Sequence, residues 1–274
     1  MSAVQLRNVR LATGVTLQVA ERGRGTPVLF LHGLTDSLHS WDPVLPLLPD
    51  GVHAFALSQR GHGRSDKPEA GYDSADFARD AAEFIREMGL GPMWIVGHSM
   101  GTANALRLAV DAPGLVRGLV LVGTFAGFSR NEAFEPFYRE ALVPLTDPVP
   151  DALAREFQLS TLASPVDADF VEHMIRQSLM VPAHVWRLAS AGLLKDDIGD
   201  TRSIRKPVQL HWGDQDAFTG KADQAELLAR LHGSHLVVYP AVGHAVHWEQ
   251  PARFVARLVA FMRDSERTHD RTTE

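Results

Sequence analysis

One serine stands where a hydroxyl could be made to react. The stretch MWIVGHSMG runs four apolar residues into Ser99, which lies between Gly97 and Gly101 in a G-x-S-x-G pattern. Alone the pattern says little, since chance places it in about one in ten chains of this length. A serine at a turn often does no more than cap the next helix. Its setting says more. The apolar run reads as a buried strand and TANALRLAV as a helix, so the serine Oγ would project above the sheet at a sharp turn. The glycines permit close backbone approach. The helix N-terminus behind Ser99 favours developing negative charge.

A serine hydroxyl needs a base, and the base needs an orienting carboxylate. With 13 histidines in the chain, only position can choose among them. In a strand–turn–helix setting of this kind the acid and then the histidine follow the serine, at the ends of later strands. The strand VQLHWG ends in Gly213-Asp214-Gln215-Asp216. Asp216, further past the strand, is the better placed to reach a histidine, while Asp214 reads as a loop brace. The strand HLVVYPA ends in Val242-Gly243-His244, with His247 one helical turn on. The strand-end position favours His244 as base and leaves His247 to packing. For the oxyanion, one backbone N–H comes from the residue after the serine, Met100, and the other from the loop after PVLFLHG, at Leu34.

Strands and helices alternate along the chain. QLRNVRL, TLQVAER, PVLFLHG, HAFALS, MWIVGHS, VRGLVLVG, VQLHWG and HLVVYPA read as eight strands, several rich enough in Val, Leu and Ile to be buried on both faces. Helical stretches such as SADFARDAAEFIREMGL fall between many of them. The expected fold is α/β: a mostly parallel eight-stranded sheet with helices on both faces. From 126 to 204 no strand is apparent, only helix-like segments broken by prolines, too long for a plain loop. This predicts a helical cap at 126–204 inserted after the sixth strand, a core of 1–125 and 205–264, and a flexible tail at 265–274.

Composition bounds the rest. The chain has 274 residues, 45% hydrophobic and 22% charged, enough for one large α/β unit with a sheltered site. A net charge of -6 without a basic run argues against a nucleic-acid partner. No cysteine is present, which removes disulfides and thiolate metal sites. No signal-peptide pattern and no membrane-length apolar run is visible, so a cytoplasmic protein without membrane contact is expected, as monomer or homodimer. His32, His62, His244 and His247 form no ligand motif, and no metal or cofactor is expected.

Together FLHGLTDS, SQRGHGRSDKP, IVGHSMG, HWGDQDAF and VGHAVHWEQP span about residues 28–251, and by them the chain resembles the α/β-hydrolase fold superfamily, in its branch of capped serine esterases. The resemblance implies Ser99 as nucleophile, Asp216 as acid, His244 as base, and Leu34 and Met100 as oxyanion positions. It implies structural roles for Arg60, His62 and Arg64. Relatives that open epoxides or remove halides carry aspartate at the elbow, so serine points to acyl transfer instead. A cofactor-free haloperoxidase or perhydrolase is an alternative, lowered by Leu34 where those relatives often carry an aromatic residue; a lactonase is another. Carbon–carbon hydrolases often show asparagine where this chain has His98. A ligand sensor of the same fold is a further alternative, which a broken triad would favour. The expected substrate is a small, apolar acyl compound. Phe128, Phe137, Phe157, Met180 and Trp186 are the cap's candidates to touch it, although Met and aromatic residues at helical spacing mostly form core.

Overall fold

The computed structural model describes residues 3–131, 134–195 and 198–272. Eight strands form one sheet: β1 (Gln5–Arg10), β2 (Thr16–Arg22), β3 (Thr26–Leu31), β4 (Val52–Ser58), β5 (Met93–His98), β6 (Val116–Val122), β7 (Val208–Gly213) and β8 (His235–Tyr239). Their order is β1-β2-β4-β3-β5-β6-β7-β8. β1 pairs antiparallel with β2, and β2 with β4; every other pairing is parallel. β3 therefore has β4 on one side and β5 on the other. The chain reverses its direction of travel across the sheet there, which opens a crevice beyond the carboxyl ends of β3 and β5.

The central strands are apolar on both faces because both faces are covered. In β3, Leu29 and Leu31 join one buried cluster while Val28 and Phe30 join another, as the two-residue period of a strand requires. α1 (Ser74–Met88), α2 (Met100–Asp111) and α7 (Lys221–Arg230) cover the first face, through residues such as Phe77, Leu106 and Leu227. The long α9 (Pro251–Thr272) covers the second with Phe254, Leu258 and Met262, beside Trp41 at the end of a 3₁₀ helix, Leu38–Trp41. The tail expected to be flexible from 265 is thus helical as far as Thr272. Neither Gly nor Pro interrupts DSERTHDRT, and Arg267 pairs with Asp264 one turn away, so nothing stops the helix.

Between β6 and β7 the described residues hold only helices: α3 (Phe134–Phe137), a π-helical turn over Tyr138–Leu142, α4 (Asp151–Ser160), α5 (Ala168–Leu179) and α6 (Ala183–Leu194). Their apolar residues Leu142, Ala154, Val171, Ile175 and Trp186 continue the first cluster of the sheet. The cap therefore has no separate core to detach. Before α8 (Val246–Glu249) the chain passes through the loop carrying His244.

Candidate active site

Each triad and oxyanion candidate lies beyond the carboxyl end of a parallel strand. Ser99 follows β5 directly, with φ 50° and ψ −117°. A residue with a Cβ rarely adopts this conformation, and the turn holds it there. Its backbone N–H donates to the carbonyl of Val122 at the end of β6 (3.0 Å). The flanking glycines are sterically required. A Cβ on Gly97 would lie 2.5 Å from the carbonyl oxygen of Gly101, and one on Gly101 would lie 2.2 Å from that of Leu31. Both obstacles are backbone. Gly101→Ala is therefore expected to destabilise the fold by about 2–3 kcal/mol, read as a lowered denaturant midpoint. An unchanged midpoint would show that the elbow can relax.

Asp216 lies past β7 and is fully engaged. Its Oδ1 accepts the N–H groups of Phe218 (2.8 Å) and Thr219 (3.1 Å), and its Oδ2 accepts the Thr219 hydroxyl (2.6 Å). The same Oδ2 lies 2.8 Å from Nδ1 of His244, and since a carboxylate only accepts, the ring donates. Burial works against the Asp216 charge. His244, Thr219 and Phe218 outweigh it and hold the carboxyl below the usual carboxylate range. Asp214 faces elsewhere, accepting the Ala241 N–H at 2.7 Å. The His244 ring rests on Gly123, where a Cβ would come within 2.7 Å of it. His247 is fully buried, 3.0 Å from the Ser40 hydroxyl.

Ser99 and His244 line one small pocket of about 20 Å³. Among the described residues the Ser99 hydroxyl makes no hydrogen bond, and such contacts commonly tighten only when substrate arrives. Leu34 also lines the pocket, and Met100 opens α2, where an N–H has no acceptor within the helix. Neither amide has a hydrogen-bond acceptor among the described residues.

The pocket lining is mixed in polarity. Phe128, Phe134, Phe157, Leu193 and Phe218 are among its apolar residues. Phe134, Phe157 and Phe218 also line an outer groove, where Phe137 lies. Two of the cap candidates are elsewhere. Met180 is 39% exposed at the end of α5, and Trp186 is fully buried against Phe157. Helical spacing gave both residues an apolar face but not which element that face meets.

Asp36, His98, Gln158 and Thr161 are among the pocket's polar lining residues. Residue type and spacing alone do not single out Asp36 or Gln158. Gln158 on α4 donates through Nε2 to Asp36 Oδ1 (2.9 Å) and to the Ser178 hydroxyl of α5 (2.7 Å). Burial opposes the Asp36 charge as well, but His98, His32 and Gln158 keep its carboxyl below the usual range, so it is an anion. Just past α4, the Thr161 carbonyl accepts the N–H groups of His244 (2.8 Å) and Ala245 (3.2 Å). Glu249 accepts from Gly243 (2.8 Å) on the histidine loop and from Ser164 (2.8 Å) on the cap. One end of the cap thus holds both the loop after β3 and the loop carrying His244.

Arg60, His62 and Arg64 lie outside this pocket. Arg60 forms a buried bidentate pair with Asp80 (2.6 and 2.7 Å). His62 Nδ1 lies 2.8 Å from the Arg60 carbonyl, and the Arg64 N–H donates to Gln18.

Comparison with known proteins adds a second line of support. The profile of the alpha/beta hydrolase fold family matches residues 26–251. A 2-(acetamidomethylene)succinate hydrolase of Mesorhizobium japonicum is 32% identical over 90% of this chain and 92% of its own. An esterase of Mycobacterium tuberculosis is 30% identical, covering 90% of this chain and 86% of its own. A crystal structure of E-2-(acetamidomethylene)succinate hydrolase superposes with a TM-score of 0.82 at 26% identity, over 95% of this chain and 100% of that one. Among the described residues no helix is long and apolar enough to cross a membrane.

Proposed function

The chain belongs to the alpha/beta hydrolase fold family, and on that premise we propose that it is a serine hydrolase of small, uncharged carboxylic esters. The observation that carries this reading is the 2.8 Å contact between His244 Nδ1 and Asp216 Oδ2, at the pocket where the strained turn presents Ser99. With Nδ1–H directed at Asp216, the other nitrogen of His244 is left free of its proton and able to accept one. Ser99 Oγ attacks the ester carbonyl as its proton passes to His244. The amides of Leu34 and Met100 stabilise the oxyanion. His244 then protonates the departing alcohol, leaving an acyl group on Ser99. Water, deprotonated by His244, attacks that acyl-enzyme, and the acid leaves.

The pocket argues for the substrate's charge. Among the described residues no Lys or Arg lines it, Asp36 is an anion within it, and six apolar residues line the space. The name of the Mesorhizobium relative specifies a succinate derivative, a dicarboxylate. Such a dianion would meet the like charge of Asp36, so a neutral, apolar acyl group fits better.

Mixing the protein with excess p-nitrophenyl butyrate is expected to release a burst of p-nitrophenol equal to the enzyme concentration if deacylation is the slower step. Mass spectrometry of the acid-quenched sample should show one butyryl group on the Ser99 peptide. Steady hydrolysis without any acyl adduct, even after rapid quenching, would rule out the covalent route.

A further inference from the structure

A second cluster of titratable side chains lies outside this pocket, where the cap meets the core. His39 sits in the 3₁₀ helix Leu38–Trp41, and Asp42 caps the end of that helix. His39 Nδ1 and Asp42 Oδ2 are 2.8 Å apart. The third member comes from the cap: His173 on α5 meets His39 edge to face, with ring centroids 4.7 Å apart at 87°. One ligand atom from each of the three residues lies within 4.8 Å of the other two. No sequence motif could show this, because 131 positions separate His173 from Asp42.

We propose that His39, Asp42 and His173 bind a zinc-like divalent cation that staples the cap to the core. Two imidazoles and one carboxylate suit zinc, copper(II) or nickel, whereas magnesium and calcium prefer all-oxygen shells. Ligand atoms around a tetrahedral zinc lie about 3.3 Å apart, given bonds of about 2.0–2.1 Å. The set must close by about 1.5 Å at most, which side-chain rotation allows because none of the three is fully buried. Asp42 is 45% exposed and His39 25%, so a metal can enter from solution and keep water in its remaining position. Arg176, one turn beyond His173, opposes a cation, and the Asp42 carboxylate offsets it. Apart from the His39–Asp42 contact, neither imidazole ring makes a hydrogen bond among the described residues.

The staple would act close to the proposed active site. The 3₁₀ helix begins two residues after Asp36, and α5 also carries Ser178, which donates to the Thr35 carbonyl at 3.3 Å. A cation would therefore brace the same loop that presents Leu34, from outside the pocket.

The test uses the metal alone and needs no substrate. Zinc chloride is titrated into the chelator-treated protein, with thermal unfolding and calorimetry as readouts. One bound zinc per chain is expected, with Tm raised by about 5–10 °C once zinc is about 100-fold above Kd. Magnesium should give no shift. His173→Ala and Asp42→Asn should each remove most of the response; Asp42 is the more exposed, so its variant reads out the site even if His173→Ala folds poorly. No binding at micromolar zinc, binding only at millimolar zinc, or variants that respond as the wild type does would each overturn the proposal.

Discussion

Ser99→Ala is expected to lower kcat about 10⁶-fold, His244→Ala by a similar factor, and the double variant no further, because the two groups act as one unit. Asp216→Asn is expected to cost about 10⁴-fold for a different reason. The Asp216 site has fixed polarity. Its Oδ1 is held by the N–H groups of Phe218 and Thr219, so an asparagine places its carbonyl oxygen there and its amide nitrogen where Oδ2 stood. That nitrogen then donates towards His244 Nδ1, and the ring must carry its proton on Nε2 instead. A protonated Nε2 cannot take the serine proton. The Thr219 hydroxyl, which now donates to Oδ2, can turn to accept, so the fold has no strong reason to fail. Steady-state kinetics on p-nitrophenyl butyrate, with circular dichroism to confirm folding, checks the series. A folded Asp216→Asn variant with near-normal kcat would show that His244 is oriented by something else. Equal activity in Ser99→Ala would remove the proposed nucleophile.

The elements were readable where one local rule sufficed. Strands β3 and β5 carry unbroken apolar runs, Val28–Leu31 and Met93–Val96, because both of their faces are covered. β1 is mostly exposed, and β8 is exposed or half-buried except at Tyr239; these edge strands were legible by their β-branched residues and flanking turns. The positions of Ser99, Asp216 and His244 at strand ends follow from the same runs. Asp36 and Gln158 could not be found this way. They are polar residues among 33 acidic side chains and many amides, and what distinguishes them is a contact across 122 positions. The Thr161 carbonyl is less legible still, since a backbone acceptor leaves no trace in residue type. Met180 and Trp186 fail for a related reason. Helical spacing shows that a face is apolar, but not whether it meets a cavity, solvent or another helix.

Acid should unfold this protein well above the pH at which carboxylates alone would. Burial pushes His32 down to about 4, and His62 and His211 down to about 3. Each is fully buried and held as a neutral ring. The Gln59 N–H donates to His32 Nε2, fixing it as an acceptor, and His211 is held between Tyr239 and Gln209, each at 2.8 Å. In the unfolded chain all three titrate near 6.5. Between about 6.5 and 4 the unfolded state therefore binds protons that the native state refuses, and stability falls as pH falls. The contribution is complete above about 6.5 and is lost progressively below it. Each ring gives a limiting slope of about 1.4 kcal/mol per pH unit, so three give about 4. From pH 7 to pH 5 the loss is roughly 5 kcal/mol, comparable to the whole stability of many domains. Asp36 and Asp216, whose carboxyls are held below the usual range, add to the loss in the same direction at still lower pH. Thermal unfolding across this range should show Tm falling by more than about 10 °C between pH 7 and pH 5. His211→Gln should flatten the slope by about 1.4 kcal/mol per pH unit, because it removes one titrating ring. A Tm that stays level from pH 7 to pH 5 would mean that these rings accept protons inside the fold, and that their hydrogen-bond partners can reverse roles to let them.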